Sequence, residues 1–527
     1  MTNIEKIKTD LNRVDLLEKI RSFKNTTFSS MTTEDIFKLK WYGIIHEPVT
    51  SDRFMLRVRS DGGRLNSQQL RAVAKIAKKY ARGFADLTTR QTLQFHWLKI
   101  GNISNILDIL FSEGLTTKGS SGDTMANILE CPLAGTDKYK IYNTNNLSNK
   151  IVRNILHTKE FLNLPRKFKI SINGKNCNCI KSEVSDIGFV AVKRNNNGLL
   201  EFGFKVLVGG GLGHDPMFAK DLGIFLEPEN VQEFTKAVLI IYKEYGNREN
   251  RNRARFKYLV DGWGIKKLRH EIEQRMQKKL ESFTGSINTD VHYHNHIGVH
   301  TQKGKGLFYK GVPVAAGRIY AEQLEALADV SEKFTSGNFC ITTEQNIVML
   351  DIPEKVLQLV DNSTNFTNLD NNNSFIKGSL IACEGSEFCK FGQASTKDMG
   401  YKLISNLTAT LENHNISINI SGCPNGCAGH IISDIGLVGS KVKDSNLSFF
   451  NIYAGGKVGS NPIFGRLLKE KVSENQVEDC INNLLSNYSS LNTNTMDFHD
   501  FCSKHSNTEL KAFLESSYTA ENSRKIS

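Results

Sequence analysis

No stretch of this 527-residue chain approaches the ~20 consecutive apolar residues that carry a helix across a bilayer. Export is equally unsupported: the N-terminus, "MTNIEKIKTDLNRVDLLEKI", is charged and amphipathic, with neither the apolar core nor the small-residue cleavage pattern of a signal peptide. In such a chain ten cysteines point to a reducing compartment, where thiols serve metals or packing instead of disulfides, and the cytoplasm is the expected location. A phosphate loop is missing too, since "VGGGLG" lacks the Lys-Ser/Thr that completes one.

What is present is ordinary in bulk. Hydrophobic content of 39% and charged content of 23% belong to a globular protein, and the length predicts roughly two to four domains. A net charge of +12 suits nucleic acid, an acidic membrane surface or an acidic protein partner, and does not choose among them.

The chain is internally duplicated. "GRLNSQQLRAVAKIAKKYARGFADLTTRQTLQ" (63–94) aligns without a gap to "GRIYAEQLEALADVSEKFTSGNFCITTEQNIV" (317–348), so that Gly63, Gln69, Leu70, Thr88, Thr89 and Gln91 recur 254 positions later. Further on, "SDIGFV" (185–190) recurs as "SDIGLV" (433–438), and "GGGLGHDP" (209–216) as "GGKVGSNP" (455–462). Two copies of a two-part unit follow. In the first part, Leu70, Val73, Ala74, Ala77 and Tyr80 predict an amphipathic helix over 66–81, between the alternating strands "FMLRVRS" and "TLQFHWLKI". The second part mixes β-rich runs with helices such as 229–245, and the Asn-rich stretch 361–373 reads as a loop.

"SGCPNGCAGH" (421–430) holds half of a metal site, and "ACEGSEFCKFG" supplies the rest. Cys383, Cys389, Cys423 and Cys427 make a C-x5-C and C-x3-C set with Gly and Pro beside the ligands. Small residues let backbone N–H groups point at sulfur, which an iron–sulfur cluster needs more than zinc does. Zinc, whose usual knuckle is tighter, stays open on spacing alone.

This pattern resembles the siroheme-dependent sulfite and nitrite reductases of the ferredoxin-dependent, assimilatory type, over roughly residues 35–490. "LTTRQTLQFHW", "CPLAG", "NLPRKFK", "LVGGGLG", "GNRENRNRARFKYL" and "HIGVHTQK" carry the resemblance further. It implies a [4Fe-4S] cluster on the four cysteines, with Cys427 also ligating the iron of siroheme. It implies an α+β fold in which two ferredoxin-like half-domains pair into one domain, beside two α/β siroheme and cluster domains related by a pseudo-twofold. The expected boundaries are an N-terminal arm (1–45), half-domain 1 (46–117), a siroheme and substrate domain (118–290), half-domain 2 (291–360), the cluster domain (374–490) and a polar C-terminal tail (491–527). Cys131 aligns with Cys383, but Asp137 and Lys175 stand where Cys389 and Cys423 would be, so the first copy is expected to hold no cluster.

The resemblance also carries over an anion site. Arg90, Lys167 and Lys169 fall on catalytic positions, and Arg90, Arg166 and Cys427 on positions that bind the cofactor. Ala126 stands where an arginine is usual. Loss of one guanidinium from a charge-stabilising site costs on the order of a hundredfold, unless another cation offsets it. Lys118 is near in sequence. Lysine at 169 suits dianionic sulfite better than monoanionic nitrite, whereas "GSEFC" resembles nitrite-type branches, so sulfite is the expected substrate and nitrite the alternative.

No flavin or nicotinamide domain is evident, so electrons are expected from reduced ferredoxin, an acidic donor that a chain of +12 would steer. The remaining expectations are a monomer that binds neither nucleic acid nor membrane. A zinc-stabilised basic binding protein, or a family member that has lost catalysis, is the distant alternative. His292, His294 and His296 in "HYHNHIGVH" would share one face of a strand, but no carboxylate or cysteine nearby in sequence completes a metal site, and they read as a polar strand edge. Cys177 and Cys179, one residue apart, read as non-ligands. In "RENRNRARFK", Arg248, Arg251 and Arg255 would lie on one helical face; without aromatic platforms they read as structural or cofactor-flanking.

Overall fold

The computed structural model describes residues 3–11, 15–156, 158, 160–175, 179–285, 296–365, 374–407, 415–443, 445, 447–492 and 496–516. The apolar stripe of the first repeat forms the helix Ser67–Tyr80, opened by a capping box in which Asn66 and Gln69 satisfy each other's backbone N–H groups. Leu70, Val73, Ala74 and Ala77 on that helix are fully buried. Its counterpart, Ala321–Phe334, packs alongside, with Arg71 reaching Asp329 and Glu332 at 2.6 Å. Each half-domain sheet then borrows a strand from the other copy. Arg64–Asn66 pairs with Asn338–Ile341, and Arg318–Tyr320 pairs with Phe84–Leu87. One shared core results, which is why the halves form a single domain.

The second parts repeat one topology. Leu129–Glu130, Ile170–Asn173 and Ile187–Asn196 run parallel, and Leu199–Val208 and Lys220–Leu226 continue antiparallel, with Glu281–Ser282 added at the edge. Leu380–Ala382, Ile418–Ser421, Ile435–Ser440, Phe449–Ala454 and Arg466–Ser473 repeat the order and the directions. The central parallel strands Ile170–Asn173 and Ile418–Ser421 are buried throughout, as covered sheets require. The glycine loops are close-packed: a Cβ at Gly210 would meet Glu183 O at 2.3 Å, and one at Gly456 would meet Ile431 O at 2.7 Å.

The repeated Thr-Thr-x-Gln motif explains how the parts are joined. Gln91 donates to Glu130 O and Ile341 O at 2.9 Å and accepts from Glu130 N. Gln345 donates to Leu87 O and Ala382 O and accepts from Ala382 N. Each glutamine thereby clamps the residue just before a cysteine, Cys131 or Cys383. Both adopt positive φ, 54° and 64°, a strain of order 1 kcal/mol or more that the buried hydrogen bonds offset.

Three expectations change. The C-terminal segment is no polar tail: Phe498–Lys504 and Asn507–Glu515 are helices whose Phe501, Cys502, Leu510 and Leu514 enter the core of the cluster domain. The N-terminal arm is anchored, with buried Lys8 3.3 Å from Asp123 and Trp41 donating to Leu162 O at 2.8 Å. Finally, Arg248, Arg251 and Arg255 share no helical face. Each turns inward to an acid, to Glu5, Asp123 and Asp186 respectively, as a structural role for this segment requires. The Asn-rich stretch begins inside the helix Leu357–Asn365, and 366–373 lie outside the described residues. Among the described residues no helix is long and apolar enough to cross a membrane.

Glu183 gives a stability prediction. It lies in the turn Ser182–Val184, 8% exposed, accepts the Gly459 N–H, and burial pushes its carboxyl up to about 7. A raised folded pKa stabilises fully below the unfolded value near ~4.3, and that contribution is lost as pH rises through about 7. Glu183→Gln should therefore raise stability by up to about 3 kcal/mol at pH ~8 and leave it nearly unchanged near pH ~4.5. Thermal melts at the two pH values check it; equal shifts at both would contradict the assignment.

Candidate functional site

Two adjacent parallel strands, Leu380–Ala382 and Ile418–Ser421, end side by side and deliver Cys383 and Cys423 to one place. Cys389 closes the helical turn Gly385–Phe388, and Cys427 follows in the turn after Cys423. All four cysteines come together, since charge on Cys427 acts on the thiols of Cys383, Cys389 and Cys423 alike. Gly422 N–H donates to Cys383 Sγ at 3.1 Å. Further backbone N–H groups point at Cys383 from Gly385, at Cys389 from Phe391 and Gly392, and at Cys423 from Asn425.

Glycine makes this possible. A Cβ on Gly392 would meet Gly385 O at 2.3 Å, and one on Gly422 would meet Gly385 Cα at 2.8 Å. Burial pushes the Cys383 thiol up to about 12, against the pull of its N–H donors. Four convergent thiols ringed by N–H donors fit an iron–sulfur cluster, whose iron supplies the charge that holds them as thiolates. Zinc needs no such ring.

Cations gather on the side that Cys427 faces. Lys167 and Lys169 flank Phe168, whose backbone pairs with the segment holding Ala126: Ala126 N donates to Phe168 O at 2.8 Å. Lys169 N donates to Asp186 at 2.8 Å, and Arg255 pairs with the same carboxylate at 2.9 Å. Arg90 sits in the turn between Phe84–Leu87 and Leu93–Leu98, its guanidinium donating to Asn127 O at 2.5 Å. Neighbouring Thr89 donates to Cys427 O at 3.1 Å, tying this turn to the cysteine turn.

These groups repel one another. Burial first, and then Arg255, Arg59 and Arg57, bring Arg90 down to about 9 against the pull of Asp186. Burial, Arg255, Arg166 and Arg57 bring Lys167 to about 8, against the pull of Cys427. Lys169 is driven well below its ordinary value by burial, then by Lys167, Arg90 and Arg255. Lys167 is nonetheless accessible to solvent, as is Cys427. Arg57, Arg90, Lys169 and Arg255 are partly accessible as well, so the group borders open space. A hollow walled by mutually repelling cations fits an anion together with the carboxylate-rich siroheme.

Of the expected site residues, Lys167 and Arg90 act on Lys169 and Cys427 acts on Lys167, which gathers these four beside the cluster position. Arg166 is held by Asp123 at 3.1 Å, a carboxylate shared with Arg251 and Lys8. Sequence reasoning missed one cation and left another without a place in the site. Arg57, on the strand Phe54–Val58, donates to Ser120 O at 3.2 Å and feels Cys427, Glu384 and Cys389. Arg255, read from sequence as structural or cofactor-flanking, acts on Arg90 and Lys167, although the helical face expected for it with Arg248 and Arg251 does not form. Arg57 stands half-buried in an otherwise apolar "FMLRV", and that irregularity was the available signal. Arg59 donates to Ala126 O at 3.3 Å, and Arg57 and Arg255 act with it on Arg90.

A second charged layer braces Cys383. His96, between Glu47 at 2.5 Å and Glu384 at 3.1 Å, is raised to about 10 by those carboxylates and is an imidazolium. It stacks on Phe388 at 4.3 Å, and Glu384 adjoins Cys383 in the chain.

Residues 121–280 and 377–498 match a family profile described as the nitrite and sulphite reductase 4Fe-4S domain. Residues 47–111 and 300–364 match the nitrite/sulfite reductase ferredoxin-like half domain. The chain is 30% identical to an assimilatory ferredoxin-dependent nitrite reductase of Haloferax mediterranei, covering 94% of this chain and 90% of that one. It is 31% identical to a sulfite reductase [ferredoxin] of Mycobacterium tuberculosis, covering 92% and 91%. The solved structure of the Mycobacterium tuberculosis NirA protein superposes with a TM-score of 0.89 at 30% identity, covering 96% of this chain and 97% of that one.

Proposed function

Because this chain belongs to the nitrite and sulfite reductase family, we propose that it reduces sulfite to sulfide with six electrons taken from a reduced ferredoxin. The cluster and siroheme, when bound, supply the electron reservoir and the iron at which the anion is reduced. Cys383, Cys389 and Cys423 would hold the cluster, and Cys427, the member open to the cationic hollow, would hold both groups.

Arg57, Arg90, Lys167 and Lys169 bind and orient the anion, and Arg255 keeps Asp186 from neutralising Lys169. Sulfur falls from +4 to −2 while its oxygens leave as water, so protons must arrive with the electrons. Lys167, lowered to about 8, can give up a proton near neutral pH, and Arg90 keeps its charge there. Electron entry is best placed at Cys389, beside exposed Lys390 and the 56% exposed Phe391, with Lys40 close to Lys390. Such a basic rim around an apolar contact suits a small acidic donor.

The observation that carries sulfite over nitrite is Lys169, inside the hollow and within reach of Lys167 and Arg90. A dianion gains more than a monoanion from each added cation. Nitrite is the second reading, favoured by Ala126 at an arginine position and by relatives of both names. Turnover with reduced ferredoxin on each anion decides. We expect kcat/KM for sulfite to exceed that for nitrite; the reverse order would make this a nitrite reductase.

A further inference from the structure

The first copy retains more of its metal corner than the sequence suggested. The strands Ile170–Asn173 and Ile418–Ser421 are counterparts in the two sheets, and counting on from them puts Lys175 opposite Cys423 and Cys179 opposite Cys427. The strands before Cys131 and Cys383 likewise correspond. The four corners of the cluster are therefore Cys131, Asp137, Lys175 and Cys179 in the first copy. Two of them, Asp137 and Lys175, form an ion pair with each other. That pair replaces two thiolates by opposite charges and leaves no four-sulfur site for a cluster.

The other two corners have a new neighbour. Cys131 Sγ, Cys179 Sγ and a ring nitrogen of His296 lie within 4.8 Å of one another, and the three residues are 1%, 2% and 1% exposed. Cys179, read from sequence as a non-ligand, thus lies beside a second thiol and an imidazole, and cysteines do lie beside the histidine segment. His292, His294 and Cys177 lie outside the described residues.

Each donor is fixed from a different part of the fold. Cys131 follows Glu130, which Gln91 clamps. Cys179 O accepts from Thr343 Oγ1 at 2.5 Å. The backbone of His296 lies against the strand Leu307–Val312 so closely that a Cβ on Gly311 would meet His296 O at 1.6 Å. Tyr309, 2% exposed, is packed beside both cysteines and the Asp137–Lys175 pair.

We propose that Cys131, Cys179 and His296 bind a zinc ion, a site that replaced the cluster in the first copy. Two thiols and an imidazole are zinc donors, and with bonds of about 2.3 Å to sulfur and about 2.0 Å to nitrogen a tetrahedral ion sets its ligands about 3.5–3.8 Å apart. The observed spacing needs closure of at most about 1.3 Å. A water takes the fourth position. The ion joins segments 131, 179 and 296 and so pins the second half-domain to the first siroheme domain.

The test uses holoenzyme from zinc-supplemented cells, with metals counted per chain. Roughly one zinc is expected beyond the iron of cluster and siroheme, and Cys179→Ser and His296→Gln should each lose it while the visible spectrum stays unchanged. Zinc retained in both variants would place it elsewhere and overturn the proposal. Should the variants misfold, wild-type holoenzyme stripped with chelator and given Co2+ must develop thiolate-to-cobalt bands. Their absence, or a Cys131–Cys179 disulfide in the isolated chain, would also overturn it.

Discussion

Cys427→Ser should lower ferredoxin-driven turnover by about a thousandfold and abolish magnetic coupling between cluster and siroheme, while iron and siroheme remain bound. The argument rests on where this cysteine lies. Cys423 is buried and Cys383 and Cys389 are partly so; Cys427 alone of the four is exposed, on the side where Lys167, Arg57 and Arg90 converge. Thr89 holds its carbonyl, so a serine there keeps the turn in place and changes only the bridging atom. Electron paramagnetic resonance of the reduced variant, with turnover alongside, checks it. A variant that keeps more than about a tenth of the wild-type rate would remove Cys427 from the bridge.

Much of this site could be read from the chain because its parts are local. Cys383 with Cys389, and Cys423 with Cys427, are each one turn apart, and a period of 254 needs only self-comparison. Lys167 and Lys169 flank one phenylalanine in a short run. What escaped was non-local. The exchange of Arg64–Asn66 and Arg318–Tyr320 between sheets depends on two segments about 250 residues apart, and both are only three residues long. Arg57 reaches the hollow because its strand lies below the Ser120 turn, and periodicity is silent about that. The terminal helices looked polar because their apolar residues are few, yet nearly all of those are buried. His296 and Cys179 are more than a hundred positions apart and meet only through the packing of one half-domain on the other sheet.

The choice of anion is where one side chain should have the largest effect. Lys169→Asn is expected to lower kcat/KM for sulfite about a hundredfold and for nitrite about tenfold or less, so that preference moves toward nitrite. Asparagine keeps a hydrogen-bond donor on a much shorter side chain, and the backbone N–H of residue 169 still bonds Asp186, so the strand stays in place. What goes is one charge from a group of cations that already depress one another. A dianion loses about twice the Coulomb energy of a monoanion when that charge is removed. Relief of repulsion partly offsets the loss, because Lys167 and Arg90 then hold their protons more firmly. The same crowding predicts little gain from refilling position 126, since Arg59 already donates to Ala126 O and acts with Arg57 and Arg255 on Arg90. Steady-state kinetics on both anions at one pH check the ratio. Equal losses for sulfite and nitrite would mean that Lys169 serves the siroheme carboxylates and that substrate charge is read by Arg57, Arg90 and Lys167.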